Sequence, residues 1–457
     1  MKTIFITIFQ GVEAKNLLRT NVYRAFIADP EIELVLFVRT PERKAYYEAE
    51  FAHPRVHFEM MHYELCGFWD ALFGKLKFLL LRTETTDLRR RMKLDGDRNY
   101  LSFAVSWLAN RVLARPVVRR AVRVLDRLLV RDRAFAPFFE KYRPAAVLLA
   151  HLFDDEETAL LREATRRRTP TVGFINSWDK MTARCTLRLH PDTLLVFNEI
   201  VREEAMRHAD VPGARITAVG LPQYDRYVGY HPVARSEFLK NAGFLPEDRV
   251  LLYAPMGETF STADWDIIDL LHAWELSGLL PGRLRSFVRF QPNDTVNDDE
   301  LGRRPWLRFD RPGKRFSRLR GVDWDMDDAE LKHLADTLAH ADLLVCYASS
   351  ISIDAAVFDK PVINIDFELR PHERLARSPT QFYQMSHYRN ALRTGGIRLA
   401  RSKEDLLEAI RTYAENPARD REARQRLVRE QCGIMDGNAG ERLARAVLRK
   451  ARSGGDL

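Results

Sequence analysis

Short apolar runs recur along this chain with amphipathic stretches between them, and that alternation limits the possible folds more than any other feature. Thr3–Phe9, Glu33–Val38, Val56–Met60, Ala145–Leu149, Thr171–Phe174, Thr193–Phe197 and Ile216–Val219 read as strands. Lys15–Ala28, Ala45–Phe51, Asp155–Arg168 and Glu199–His208 read as helices. Strand–helix–strand order predicts a parallel sheet, because the chain must cross back before it can lay the next strand alongside the last. A second series opens at Val250–Tyr253 and continues through Ser286–Phe290, the helix Ala329–Ala341, the strand Leu343–Cys346, the helix Ile351–Phe358 and the strand Val362–Ile365. Near-continuous apolar runs suit strands covered on both faces. The expected fold class is α/β, with two Rossmann-like domains facing a cleft and ligands beyond the carboxyl ends of the strands. Residues 1–225 form the expected first domain, with a helical insertion at about 62–143, and 226–430 form the second. Residues 431–457 are expected as a C-terminal helix packing back on the first domain. The hinge falls in Pro222–Glu247, where Pro222, Pro232 and Gly243 punctuate the pattern.

With 46% hydrophobic and 30% charged residues over 457 positions, the composition excludes a disordered chain and leaves ample material for a core. No repeat of solenoid period is present. Cys66, Cys185, Cys346 and Cys432 are scattered, without a CxxC pair or a histidine at zinc-ligand spacing, which fits a reducing cytoplasm. Gln10 and Glu13 interrupt the apolar start, so it reads as a buried first strand and not as a secretion signal. No window supplies the ~18 uncharged apolar residues of a spanning helix. The expected location is cytoplasmic, peripheral on the inner face of the membrane.

The strongest constellation for chemistry is Ala348-Ser349-Ser350-Ile351-Ser352-Ile353-Asp354, directly after one apolar run and ahead of Lys360–Ile365. Hydroxyl residues opening a helix after a strand leave N–H groups and the positive helix end facing an incoming phosphate. Asp354, one turn on from Ser350, has the reach for a ribose hydroxyl; the plainer alternative is that Ser349 only caps the helix. Three further strand-end motifs follow the same rule: Gly220–Asp225, Tyr253-Ala254-Pro255 and Arg289-Phe290-Gln291-Pro292. Asp323–Asp328 contains two D-x-D pairs, the pattern that holds Mg²⁺ in some transferases. It immediately precedes a helix, however, so Asp327 or Asp328 is expected as its N-cap, with no metal and no other cofactor.

In their order, GLPQYD, LLYAP, VRFQP and ASSISIDAAVFDKPVINID resemble the GT-B glycosyltransferase superfamily, in particular its bacterial capsule, polysialyl-type and CDP-glycerol glycerophosphotransferase-like branch. The resemblance covers about residues 215–400 and implies a nucleotide-donor domain there and an acceptor domain before it. Ser349, Ser350, Asp354, Arg289, Gln291, Tyr253 and Pro255 become donor-binding candidates, with Gln291 where such motifs often carry histidine. Phe174–Thr182 resembles a Ser-Trp-Asp loop of related surface-polysaccharide transferases and makes Asp179 the expected base for the acceptor hydroxyl. His151 is the rival base, and Gly11, Trp178 and His151 are placed on the acceptor side. His387 is the expected partner of the departing phosphate. The implied activity is inverting, metal-independent transfer of a sugar from a nucleotide-activated donor to a cell-surface glycan or lipid-linked acceptor. Transfer of glycerol phosphate, epimerisation in the manner of UDP-N-acetylglucosamine 2-epimerases, and a catalytically silent scaffold are the alternatives.

Gly67–Arg82 and Arg111–Arg133 set leucine and aromatic side chains beside basic ones, the latter with eight arginines against Asp126 and Asp132. Residues 67–133 therefore read either as interfacial helices for an anionic membrane surface or as a helical subdomain packing Val117, Val118, Ala121, Val122, Leu125 and Leu129 in its core. Nucleic acid is not an expected partner, since arginine is spread without an RNA-binding motif or interleaved aromatics.

Overall fold

The computed structural model describes residues 1–316, 323–370 and 374–453, so 454–457 of the expected C-terminal segment lie outside it. The chain divides into two compact units: Met1–Asp87, Tyr100–Val228 and Cys432 onward form the first, and Leu88–Asn99 and Gly229–Gln431 the second.

The first unit is built on a seven-stranded parallel sheet of β1 (Lys2–Thr7), β2 (Ile32–Val38), β3 (Val56–Met60), β4 (Ala146–Leu149), β5 (Thr171–Phe174), β6 (Thr193–Val196) and β7 (Ile216–Ala218), in the order β3-β2-β1-β4-β5-β6-β7. The apolar runs become central strands because both sheet faces are covered: Ile4, Phe5, Val35, Phe37, Val147 and Leu148 are all buried. Phe5 meets the edges of Phe37 and Phe139 at 5.0 and 5.2 Å between ring centres, tying β1 and β2 to the helix Ala136–Tyr142. The helix expected over Lys15–Ala28 is two, Gly11–Leu17 and Asn21–Ala28. Thr20 divides them: its hydroxyl donates to the Asn16 carbonyl and accepts the Val22 amide, ending one helix and capping the next. The C-terminal helix Ala439–Ser453 belongs to this unit, buries Leu443, Ala444, Val447 and Ala451, and packs against Asn21–Ala28.

The second unit carries a six-stranded parallel sheet, with strands β8 (Arg249–Ala254), β9 (Leu284–Arg289) and β10 (Phe309–Asp310). A short antiparallel pair, β11 (Lys314–Arg315) and β12 (Trp324–Asp325), intervenes before β13 (Leu343–Cys346), β14 (Val362–Ile365) and β15 (Arg398–Ala400). The sheet order is β10-β9-β8-β13-β14-β15. Its core joins Leu251, Val288, Leu343 and Ile363 of the strands to Ile267, Leu271, Leu406 and Ile410 of the covering helices. The insertion expected at 62–143 is not all in the first domain. Leu88 and Met92 cluster with Met385, and the Asp95 carboxylate accepts the Leu375 amide, so 88–99 folds with the second unit.

The insertion also departs from the core-packed alternative. Val117, Ala121 and Leu125 of the helix Pro116–Leu129 are exposed, because the face it turns inward carries Arg119, Arg123 and Asp126. No helix of the described residues is long and apolar enough to cross a membrane.

Candidate functional site

Each sheet reverses its strand order once, between β1 and β4 in the first unit and between β8 and β13 in the second. At such a point the connections leave in opposite directions and open a crevice at the carboxyl ends of the two strands. The chemistry-bearing residues gather at both places.

In the first unit the loop after β4 is held by one buried carboxylate. Glu157 accepts the amides of Ala150 and His151, each at 3.0 Å, and also the Leu152 amide and the Thr7 hydroxyl. Leu152 is thereby kept at φ 67°, in the left-handed region that leucine rarely occupies. Burial outweighs these donors and pushes the Glu157 carboxyl up to about 7. Across the crevice Glu13 accepts the amides of Phe9 and Gln10 at the start of the helix Gly11–Leu17. Burial first, then the nearby carboxylates of Glu157 and Asp154, hold Glu13 well above the carboxylate range, and its Oε1 has no hydrogen-bond partner among the described residues.

His151 lies at the centre, 1% exposed, with Lys180 Nζ 3.2 Å from its Nδ1 and Asp154 Oδ1 3.4 Å from its Nε2. An ammonium can only donate, so Nδ1 accepts from Lys180, while Nε2 faces Arg184 Nη2 at 3.4 Å and Gln10 Nε2 at 3.5 Å as well as Asp154. Burial, followed by the Lys180 charge, pushes the imidazole down to about 4, so it is neutral near pH 7. Burial likewise lowers Lys180. Burial alone would raise the Asp154 carboxyl, but the bond from His151 and the charges of Arg39 and Arg184 hold it far below the usual range. Gln10 Nε2 donates to Asp154 at 2.7 Å and Arg39 pairs with it at 3.1 Å.

Asp154, Arg39 and Arg184 keep part of their side chains accessible, while His151 is enclosed. Gly11 is buried at the first turn of its helix. Asp179 and Trp178 are half-buried; Asp179 accepts the Ser177 hydroxyl at 2.6 Å and precedes the short helix Lys180–Ala183. Sequence reasoning missed Gln10, Glu13, Arg39 and Lys180. Gln10 and Glu13 form a capping box, and that three-residue spacing was the one local signal available.

In the second unit Ser350 is the exposed N-cap of the helix Ile351–Val357, and its side chain makes no capping hydrogen bond. The Ser349 amide donates to the Tyr388 hydroxyl at 3.3 Å, and the same hydroxyl meets Ser352 at 3.1 Å and accepts from Asn364. One amide of the helix start is thus committed internally, while the serine that follows faces solvent. Asp354 is buried on that helix, and His387 is half-buried on the helix Ser386–Leu392 next to Tyr388.

The loops after β8 and β9 are stapled together. Gln291 Nε2 donates to the Met256 carbonyl at 2.9 Å, and Asp264 accepts the Tyr253 hydroxyl at 2.8 Å and the amides of Met256 and Gly257. Burial pushes Asp264 up to about 6. Tyr253 is wholly in the core, and Arg289 is buried in an ion pair with Asp310. A cavity of about 260 Å³ opens beside these loops, lined by Pro255, Asp264, Trp265, Phe290, Asp294 and Arg377 among others. Of the donor-side candidates only Pro255 lines it; Ser349, Ser350, Asp354, Arg289, Gln291 and Tyr253 do not.

Asp327 caps the helix Asp328–His340 in a reciprocal box with Glu330, as the D-x-D stretch suggested. Among the described residues no group of three or more histidine, cysteine or acidic side chains is arranged to hold a metal ion.

Residues 309–449 match the model of the CDP-Glycerol:Poly(glycerophosphate) glycerophosphotransferase family. No curated protein matches the chain. Among solved structures, a UDP-GlcNAc 2-epimerase from Neisseria meningitidis bound to UDP-GlcNAc is similar with a TM-score of 0.55 at 10% identity, over 98% of this chain and 100% of that one. The S. aureus MnaA–UDP co-structure is similar at 0.53 and 10% identity, over 99% and 97%. A variant of the wall teichoic acid polymerase TagF soaked with CDPG is similar at 0.52 and 10% identity, over 100% and 90%. Identities this low speak to the fold, and the fold is the two-unit GT-B architecture. The fold and the family match over 309–449 fit the branch that the strand-end motifs resemble.

Proposed function

We propose that this protein transfers a group from a nucleotide-activated donor to a hydroxyl of a cell-surface glycan or lipid-linked acceptor. The observation that carries the reading is the family match over 309–449, which includes the helix start at Ser349 and Ser350, Asp354 and His387. That match favours glycerol phosphate from a CDP-glycerol-type donor as the group transferred. A sugar from a nucleotide sugar is the second reading, supported by the GT-B fold shared with proteins solved with UDP and UDP-GlcNAc.

In this reading the second unit binds the donor. Ser350 and the positive end of its helix meet the phosphates, Asp354 the ribose, and the strand-end residues Tyr253, Pro255, Arg289 and Gln291 shape the surrounding loops. The first unit handles the acceptor: Asp179 takes the hydroxyl proton, and Asp154 and Arg39, held by Gln10 and His151, position the acceptor. His387 meets the leaving phosphate, and no metal takes part.

The released nucleotide separates the chemistries. If glycerol phosphate moves, the acceptor oxygen attacks its phosphorus, the pyrophosphate bridge breaks and CMP leaves. If a sugar moves, the anomeric carbon–oxygen bond breaks and a nucleoside diphosphate leaves. Incubation with CDP-glycerol and a polyol-phosphate acceptor is expected to yield CMP by anion-exchange chromatography. A thermal-shift screen of CDP-glycerol, CDP, UDP and UDP-GlcNAc is expected to stabilise the wild type and to show binding about tenfold weaker, about 1.4 kcal/mol, in Ser350→Ala. An epimerised nucleotide sugar formed without acceptor overturns the transferase reading, and identical shifts in both proteins remove Ser350 from the donor site.

A further inference from the structure

The helix Ala439–Ser453 covers only part of the face it lies on. Its apolar side packs over β1, β4 and β5. It runs antiparallel to the strands: Arg442 Nε donates to the Val219 carbonyl just past β7, and Lys2 Nζ, at the start of β1, donates to the Arg452 carbonyl. The adjoining face of β6 and β7 becomes the floor of an open groove of about 670 Å³, within the roughly 300–1,000 Å³ of ordinary ligand sites. Leu195 and Thr217 are register partners, and Thr193 and Val219 stand two residues from them, so the four share that face. The wall is the flank of the helix, where Arg442, Arg445 and Arg449, three and four residues apart, stand in one row with Lys450 beside them.

No carboxylate lines this groove. Elsewhere in the unit arginines are neutralised: Arg19 pairs with Glu50 at 2.7 Å, and Arg452, at the end of the same helix, pairs with Asp29 at 2.6 Å. Among the described residues Arg442 is held by Asp436 but its Nη2 has no partner, and Arg445, Arg449 and Lys450 form no ion pair. Like charges gathered in a concavity focus a field that favours an anion there. Arg442 to Arg449 is seven residues, about 10 Å along the axis, so the cations form a row and not a point. A single phosphate engages one end of such a row, whereas a chain with a phosphate at every repeat engages it in series. The Thr193, Thr217 and Ser453 hydroxyls suit the polyol between phosphates, and Leu195 and Ala446 its carbon backbone. We propose that this groove binds a phosphodiester-linked polyol chain, apart from the crevice after β1 and β4, and holds the already assembled part of the acceptor. β4 and β7 are three strand spacings apart, about 14 Å, so a chain whose terminal hydroxyl lies in the crevice reaches the groove at Arg442 within a few repeats. That role rests on the transferase reading; the anion site does not.

The test is fluorescence anisotropy of the full chain with a labelled glycerol-phosphate oligomer, and with an oligoglutamate and a single-stranded oligonucleotide of equal charge. The wild type is expected to bind the glycerol-phosphate oligomer more weakly as salt rises, with glycerol 3-phosphate competing about tenfold less well than unlabelled oligomer. Arg445→Glu/Arg449→Glu is expected to bind the oligomer about tenfold more weakly, and Arg445→Lys/Arg449→Lys to stay within about threefold of the wild type. Both arginines are exposed, so circular dichroism melts and nucleotide thermal shifts are expected to be the same in all three proteins. No binding by the wild type, or equal binding by Arg445→Glu/Arg449→Glu, overturns the proposal. So does oligoglutamate or the oligonucleotide binding as tightly as the glycerol-phosphate oligomer, which makes the groove a general surface for acidic protein or nucleic acid. Oligomer binding without any nucleotide response strikes the transferase reading and leaves the groove standing; CMP release from CDP-glycerol without oligomer binding does the reverse.

Discussion

Glu204 shows how a buried titratable group near the acceptor-side residues sets a pH limit. Burial pushes its carboxyl up to about 8, with the Asp179 charge adding to the shift and Arg207 opposing it, and its Oε2 has no partner among the described residues. The native state therefore keeps a proton that the unfolded chain has already released. A carboxyl raised in this way contributes its full stability below its unfolded pKa, about 4.3, and loses that contribution as pH climbs through about 8. Glu204→Gln removes the titration, so its melting temperature is expected to fall less than that of the wild type between pH 6 and pH 9; parallel declines would show that Glu204 does not titrate there. Single residues such as these were the least legible part of the chain. A buried charge announces itself only through partners far away in sequence, as Lys180 does through His151 and Glu157 through Thr7.

Elements were read more faithfully, because a strand covered on both faces must be apolar along its length and therefore stands out. Val56–Met60, Thr171–Phe174, Leu343–Cys346 and Val362–Ile365 are where the apolar runs put them. Arg398–Ala400 escaped notice because it is an edge strand of three residues with a half-buried arginine at its head. The split at Thr20 escaped because the amphipathic period runs through it, while the hydrogen bonds of one hydroxyl decide the break. The inverted helix Pro116–Leu129 is a third kind of case: amphipathicity reports that two faces differ, not which one turns inward. Placement of the C-terminal helix depends on Asp225, whose carboxylate accepts the amides of Ala439 at 3.0 Å and Gly440 at 2.7 Å and so caps the helix from more than two hundred residues away. Asp225→Ala is expected to cost about 0.5–2 kcal/mol in urea unfolding and to reduce hydrogen-exchange protection over 439–453. Unchanged protection there would show that side-chain packing alone seats the helix.

For the whole molecule the decisive feature is that the first unit is discontinuous, drawing on 432 onward after the second unit has intervened. Leu443, Ala444, Val447 and Ala451 are buried in it, and each leucine or valine so buried is worth about 1.5–3 kcal/mol against a net stability of about 5–15 kcal/mol. A chain stopped after Gln431 is expected to lose the first unit's transition from a calorimetric trace and to keep the second's. Retention of both transitions would show that the first unit is stable without its final helix. Gly433 opens this returning segment at φ 73°, so close to the Phe197 carbonyl that an added Cβ would lie 2.3 Å from its oxygen. The route back is therefore sterically defined as well as capped. On the ribosome this layout imposes an order: the second unit has all its residues once position 431 has emerged, while the earlier-made first unit must wait for the helix that packs on β1, β4 and β5. Nascent chains stalled short of the final helix are thus the species most dependent on a chaperone.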